Sequence, residues 1–402
     1  MNEPAKSDPK YVLTINGGSS SIKFAVFRID HVLEQYLAGE IEHIGTKKIN
    51  LSIYKGLHNS HQKVDVPKAP HGAAAHWLMD WLEKQIDFSS VVAIGHRVVH
   101  GMEHSRPEKV TPELLEALNS ISGYDPEHLP EEIKMIKVFQ ARYPELDQVA
   151  CFDTSFHSTM PQVAKLLTIP RKYQTNGIRR YGFHGLSYAY LLEQLKLDEW
   201  NVTNTDRVIM AHLGNGASLA AVKNSQCIDT SMGFSPASGV PMGTRTGDLD
   251  PGIASYLMKQ EKMSPTQFNH LVNHESGLLG ISETSADMRE LIKLEQTDNR
   301  AAEAVDLFCY QVKKWIGSFA AALHGLDTLV FSGGIGENSP EVRERICQGL
   351  EFLGIELDKD KNDNNEPIIS ADTSTVSVRV IPTNEELMIA RYVCYTLNYP
   401  IK

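Results

Sequence analysis

The chain has 402 residues, with 39 Lys and Arg against 50 Asp and Glu, a formal charge of −11. At ~150 residues per domain this length suggests two or three domains, and a hydrophobic content of 42% supplies folded cores and excludes bulk disorder. The acidic balance argues against nucleic-acid binding, and no run approaches the ~18 apolar residues of a membrane span. The N-terminal MNEPAKSDPK carries Glu3 and Asp8 and no apolar stretch, unlike a signal or transit peptide. The cysteines, Cys151, Cys227, Cys309, Cys347 and Cys394, are scattered and lack a CxxC pair. They read as buried small hydrophobes in a reducing cytosol.

In chain order the patterning predicts a strand over 11–15, a helix over 73–86, a strand over 91–94, a helix over 112–121 and a strand over 149–153. A helix over 186–195, a strand over 208–213 and a helix over 301–323 follow. A strand over 329–332, a helix over 340–353, a strand over 376–381 and a helix over 384–397 complete the series. Ser339 before Pro340 and Asp250 before Pro251 read as helix N-caps followed by proline at the first helical position. The polar DKDKNDNNE at 358–366 reads as an exposed loop. Alternating strands and helices give an α/β class, with ligands expected at the carboxyl ends of strands.

One unit occurs twice. YVLTINGGSSSIKFAV at 11–26 and VIMAHLGNGASLAAV at 208–222 are each an apolar strand, a turn of Gly, Asn and Ser, and a second apolar strand. A glycine-rich hairpin tip can bring bare backbone N–H groups against phosphate oxygens. Neither GxxxxGK[ST] nor a strand-linked GxGxxG occurs, which argues against a P-loop or a dinucleotide fold.

Further motifs extend along the chain: GHRVVHG at 95–101, FDTSFH at 152–157, RRYGFHGLS at 179–187, HLGNGAS at 212–218 and DTSMGFSP at 229–236. They continue with MGTRTGDLDPG at 242–252, SADMR at 285–289, GGIGENSPEVR at 333–343 and PTNEEL at 382–387. With NGGSSSIKF at 16–24, the sequence resembles the acetate/propionate kinase family of the actin-like, sugar-kinase superfold. The resemblance implies two domains of similar topology with an active-site cleft between them. It gives 1–152 plus 385–402 as the acyl and metal side, and 153–384 as the nucleotide-binding and dimerisation side. It also implies a cytoplasmic homodimer with no membrane partner. The implied reaction is transfer of the ATP γ-phosphoryl to acetate, giving acetyl phosphate and ADP, with propionate as the alternative acceptor. ATP is then a co-substrate, with Mg²⁺ as cofactor and Mn²⁺ able to substitute.

By matching position, Arg97 would hold the acyl carboxylate, and His184 and Arg245 would stabilise the transferring phosphoryl. Asp153 matches the catalytic Asp. A carboxylic substrate is already ionised at neutral pH and needs no general base, so Asp153 reads as orienting Mg²⁺ through water or holding Arg97. Asn16 and Glu385 match the metal contacts, with Glu386 next door. Lys23, His212, Leu213, Gly214, Asn215 and Gly216 would meet phosphates. Asp287, Met288 and Arg289 would flank adenosine. Gly334, Ile335, Gly336, Glu337 and Asn338 read as a turn opening into a helix, with room for a base at Gly334 and Ile335. Val99, Phe183 and Pro236 match an acetate-sized methyl pocket. The fourth pocket position is Glu127, where the family commonly has Leu, so that side chain is expected to face solvent or to sit on a displaced loop. His128 is a weaker candidate beside it.

Overall fold

The computed structural model describes residues 9–401 apart from 19–20, 43, 45–48, 56–59, 66–70 and 198–205. Ser19 and Ser20, at the tip of the first glycine-rich hairpin, therefore lie outside the described residues. The chain divides into two compact units, Met1–Ser155 with Asn384–Lys402, and Phe156–Thr383.

The first unit holds β1 (Lys10–Gly17), β2 (Ile22–Ile29), β3 (Leu33–Glu42), β4 (Asn50–Lys55), β5 (Ser60–Asp65), β6 (Val91–Val98), β7 (Glu108–Lys109) and β8 (Asp147–Phe152). Their order across the sheet is β5-β4-β3-β2-β1-β6-β8-β7. The second unit holds β9 (Arg207–Leu213), β10 (Ala217–Lys223), β11 (Gln226–Thr230), β12 (Thr328–Ser332) and β13 (Ser377–Val380), in the order β11-β10-β9-β12-β13. Both sheets share one plan. The first strand pairs antiparallel with the second, and the second with the third. The first also pairs parallel with a later strand, which pairs parallel with a further one. The sequence echo is thus a repeated β-hairpin at the centre of a repeated sheet.

Central strands are buried on both faces, as expected where helices cover a parallel core. Val12, Leu13 and Ile15 of β1 are fully buried. Ala74, Leu78 and Phe139 bring the helices His71–Leu82 and Leu129–Arg142 onto the core of the first unit. In the second unit, Tyr188, Leu191 and Leu195 of the helix Gly185–Leu197 pack on Val208, Met210, Ala220, Val222 and Val330. All five cysteines are free and buried, and among the described residues no helix is long and apolar enough to cross a membrane.

Three expectations change. The helix expected over 340–353 stops at Cys347, because Gly349 turns the chain through φ +81°, and a short 3₁₀ turn follows at Glu351–Leu353. The polar loop at 358–366 contains a helix, Lys359–Asp363, N-capped by Asp358, and its Asn362 is buried. The cause is Arg343, whose fully buried guanidinium donates to Asn362 Oδ1 and O, to Asn365 Oδ1 and to the carbonyls of Gly336 and Glu337. Asp250 caps its helix through Gly252 N–H, whereas Ser339 stands at the N-cap position without a side-chain cap bond.

The C-terminal helix Glu385–Thr396 lies directly on β6. A Cβ built on Gly95 would come 2.5 Å from Ile389 Cγ2 and 2.6 Å from Val393 Cγ2. Gly95→Ala should therefore cost ~1–3 kcal/mol of stability through overpacking. Urea unfolding of parent and variant measures it, and an unchanged midpoint would contradict this packing.

Candidate functional site

In the first unit the candidate residues sit at strand ends. Asn16 is near the end of β1, Arg97 is near the end of β6, Val99 follows β6, and Asp153 follows β8. Arg97 donates from Nε and Nη2 to Asp153 Oδ2, at 3.1 and 2.6 Å. Its Nη1 reaches Asn16 Oδ1 at 3.4 Å. The side chains are 15% exposed for Arg97 and 1% for Asp153, so water screens this ion pair little. Burial works against the Arg97 charge, but Asp153 and then Glu385 more than offset it and raise its pKa.

Asn16 Nδ2 donates to Glu385 Oε2 at 3.0 Å and to Glu386 Oε1 at 3.3 Å. Both acids stand in the first turn of the C-terminal helix, where the helix dipole favours negative charge. Burial, then the neighbouring Glu385, pushes the Glu386 carboxyl up. Among the described residues no group of three or more His, Cys, Asp or Glu is arranged to hold a metal. Two carboxylates and an amide oxygen are nonetheless the hard donors that Mg²⁺ takes together with several waters. Lys23 pairs across β1 and β2 with Asn16; its Nζ lies 4.0 Å from Glu40 Oε1, and its charge also acts on Glu386 and Glu385. Val99 is buried, and its N–H donates to Glu132 Oε2 at 2.9 Å. Glu127 is half-buried in the segment before the helix Leu129–Arg142, and His128 Nδ1 lies 3.0 Å from Asp125.

In the second unit the hairpin turn at 214–216 gathers the other candidates. Gly214 N–H bonds to Gly216 O, and Gly243 N–H to Asn215 O. A Cβ on Gly216 would lie 3.2 Å from His184 Nε2 and 3.8 Å from Arg245 Nη1. The missing side chain thus lets an imidazole and a guanidinium flank one turn. Arg245 is also tied to Pro236, whose carbonyl accepts from Nη1 at 3.3 Å. His184 takes a positive φ of +58°, an uncommon and costly conformation that the surrounding structure must impose. Its Nδ1 lies 2.8 Å from Ser218 Oγ, which also contacts Tyr188 OH. The His212 ring lies 4.5 Å from the His184 ring, and His212 Nδ1 meets Ser187 Oγ at 2.8 Å, itself bonded to Thr383 Oγ1.

Leu213 is buried, and its carbonyl fills the space a Cβ on Gly333 would take, at 2.7 Å. Gly334, Ile335, Gly336, Glu337 and Asn338 form the helix Gly333–Asn338 itself, rather than a turn leading into one. Glu337 supplies the reason. Its carboxylate accepts from Gly333 N–H at 2.8 Å and from Thr383 N–H at 3.1 Å, so it caps its own helix. Asp287 N-caps the helix Met288–Leu294 and pairs with the exposed Arg289, while Met288 is buried. Ala286 O lies 3.3 Å from a Cβ placed on Gly243, which brings this segment beside the hairpin turn.

Sequence reasoning missed four contributors. Ser218 and Ser187 sit inside quoted motifs, yet a serine carries no signal that it will hold a histidine. His157, within FDTSFH, donates from Nε2 to Phe183 O (2.9 Å), and burial drives its pKa down to about 4, which keeps it neutral. It braces the strained turn that presents His184. Glu132 had no motif at all.

The sequence matches the Acetokinase family over residues 11–391. The chain belongs to that family. It is 41% identical to an acetate kinase of Methylocella silvestris, covering 96% of this chain and 98% of the relative. It is 44% identical to an acetate kinase of Thermoanaerobacterium thermosaccharolyticum, covering 94% and 97%. Among solved structures, a propionate kinase from Francisella tularensis aligns with a TM-score of 0.88 at 38% identity, over 95% of this chain and 98% of that one. Family membership makes the chain a phosphotransferase that uses ATP and a carboxyl acceptor, and the two repeated sheets are those of the actin-like superfold.

Gly216→Ala tests the hairpin geometry directly. An added methyl 3.2 Å from His184 Nε2 must displace that ring. Steady-state turnover should fall roughly 10-fold or more, because sub-ångström to 1 Å misplacements carry such costs, while the thermal midpoint stays near that of the parent. Normal turnover would show that the ring position is immaterial.

Proposed function

We propose that the chain reversibly transfers the ATP γ-phosphoryl to acetate, giving acetyl phosphate and ADP. The observation that carries this reading is the pair of side chains, the His184 imidazole and the Arg245 guanidinium, flanking the bare turn at Gly216. Phosphoryl transfer spreads charge over equatorial oxygens and needs positioned donors more than covalent help. An anionic carboxylate attacking an anionic phosphoryl raises that need further, in a chain whose formal charge is −11.

In this reading Arg97 holds the acyl carboxylate, and the buried Asp153 keeps its guanidinium in place and charged. No general base is called for, since the substrate is ionised at neutral pH. Arg245 and His184 stabilise the charge that develops on transfer, and the 212–216 turn offers backbone N–H groups to phosphates. Asn16 and Glu385, with Glu386 beside them, would hold Mg²⁺, for which their oxygens are suited. A bound Mg²⁺ would neutralise phosphate charge. By their match to the family pattern, Val99, Phe183 and Pro236, each buried, are assigned to the methyl group of a short acyl chain. A cytosolic location agrees with five free buried thiols. A homodimer through the second unit agrees with exposed Ile253, Tyr256 and Tyr310.

Trapping acyl phosphate with hydroxylamine from ATP, Mg²⁺ and either acetate or propionate tests the reaction and the chain length together. Acetate should be the better substrate by roughly 10-fold in kcat/KM, the worth of one methylene in an apolar pocket. A higher value for propionate would overturn the acetate preference, and trapping with neither acid would overturn the reaction.

The two arginines should fail in different parameters. Arg97→Ala should raise the KM for acetate. Arg245→Ala should mainly lower kcat, by ~10²-fold or more, as for a preorganised donor aimed at transition-state charge. If Arg245→Ala keeps a normal kcat and raises only KM, its assignment to the developing charge is wrong.

A further inference from the structure

Glu132 stands in the first turn of the helix Leu129–Arg142 and is only 5% exposed. One carboxyl oxygen, Oε2, accepts from Val99 N–H at 2.9 Å. The other, Oε1, is buried with no hydrogen-bond partner among the described residues. A carboxylate in that position would carry an unsolvated charge on a bare oxygen, which is costly, whereas the neutral acid loses far less.

The charged groups facing it sharpen the point. Arg97 and the Val99 N–H favour its charged form, and Asp125 and Asp153 oppose it. Asp153 already takes two hydrogen bonds from Arg97, and Asp125 is paired with His128. A second full negative charge would therefore have no cation of its own. Burial, the largest influence, pushes the Glu132 carboxyl up to about 8.

We propose that Glu132 is a positioning residue of the carboxylate site: as the neutral acid it ties down the Val99 main chain and withholds an added negative charge from the neighbourhood of Arg97. This rests on the assignment of Arg97 and Val99 to the acyl substrate. Protonated, the group of Arg97, Asp153 and Glu132 is neutral and admits an incoming carboxylate. When the proton leaves, the same group is net negative and repels it. The direction follows: acetate affinity is full below the Glu132 pKa and is lost as pH rises through it. The KM for acetate should climb from about pH 7 to about pH 9, on the order of 5- to 10-fold for one nearby like charge, with kcat changing less.

Glu132→Gln keeps the acceptor for Val99 N–H and cannot ionise. Its acetate KM should match the parent at about pH 6 and stay flat to about pH 9, whereas Glu132→Ala should raise KM across the whole range. Infrared difference spectra of parent against Glu132→Gln supply a readout that needs no turnover. The parent should show a protonated carboxyl C=O band at neutral pH that fades as pH rises, and its titration in the parent alone serves even if a variant folds poorly. Absence of that band at neutral pH, or a Glu132→Gln KM profile that rises like the parent's, overturns the assignment. A parent that shows the band but forms no acyl phosphate from acetate overturns the reaction reading instead.

Discussion

One guanidinium sets the terms for the first unit. Arg97 is held from two nitrogens by a single oxygen of Asp153, at the junction where β6 and β8 end. A buried ion pair of this kind is weak evidence for stability, since desolvation consumes much of its attraction. Its use is directional. With Nε and one side of the fork committed to Asp153, and Nη1 turned to Asn16, the positive charge cannot wander to surface acids. Each neighbour then inherits a constraint. Asn16 must present its oxygen to Arg97 and its nitrogen to Glu385 and Glu386, and Glu132 must avoid adding charge it cannot solvate.

The second unit solves a similar problem with different parts. There the polar groups are His184 and Arg245, and the hairpin turn supplies the fixed point. Glycine at 216 leaves open the space beside which both side chains stand, where a Cβ would meet them. Behind His184 a relay of hydroxyls, Ser218 and Tyr188, orients Nδ1, and Ser187 does the same for His212. The two units share a sheet order, yet their hairpins carry different chemistry at the turn: Asn16, Gly17 and Gly18 in one, and Gly214, Asn215 and Gly216 in the other. Repeating a scaffold is compatible with dividing labour between its copies.

Legibility in the sequence followed the physics of each signal. Central strands such as β1, β9 and β12 were readable because burial on both faces makes them continuous apolar runs. The interior strand β3 and the edge strand β11 mix buried with partly or fully exposed positions and carry charge, so they blend into loops. The helix at Lys359–Asp363 was hidden by its composition, because the demand for it comes from Arg343, far away in sequence. Among the site residues, those framed by glycine announced themselves, as with His184, Arg245 and the 214–216 turn. Glu132 could not, because its significance arises from a bond to Val99 and a lack of partners that exist only after folding. Glu337 shows the converse, a motif residue whose carboxylate also caps its own helix, a contact the motif does not announce.

The seating of the C-terminal helix on β6 has a consequence for biosynthesis. Ile389 and Val393 fill the hollow over Gly95, and Glu385 and Glu386 ride on the same helix beside Asn16. The segment that closes the first unit is therefore synthesised only after the whole second unit, 156–383. A nascent chain carries β1, β2 and β6 with an apolar hollow uncovered for most of translation, a state prone to off-pathway association. The same arrangement delays the acids: a chain cut short before residue 384 has the arginines and the histidines but not the carboxylates of the final helix. Emergence of residues 384–396 thus becomes the event that assembles Asn16 with its acidic neighbours.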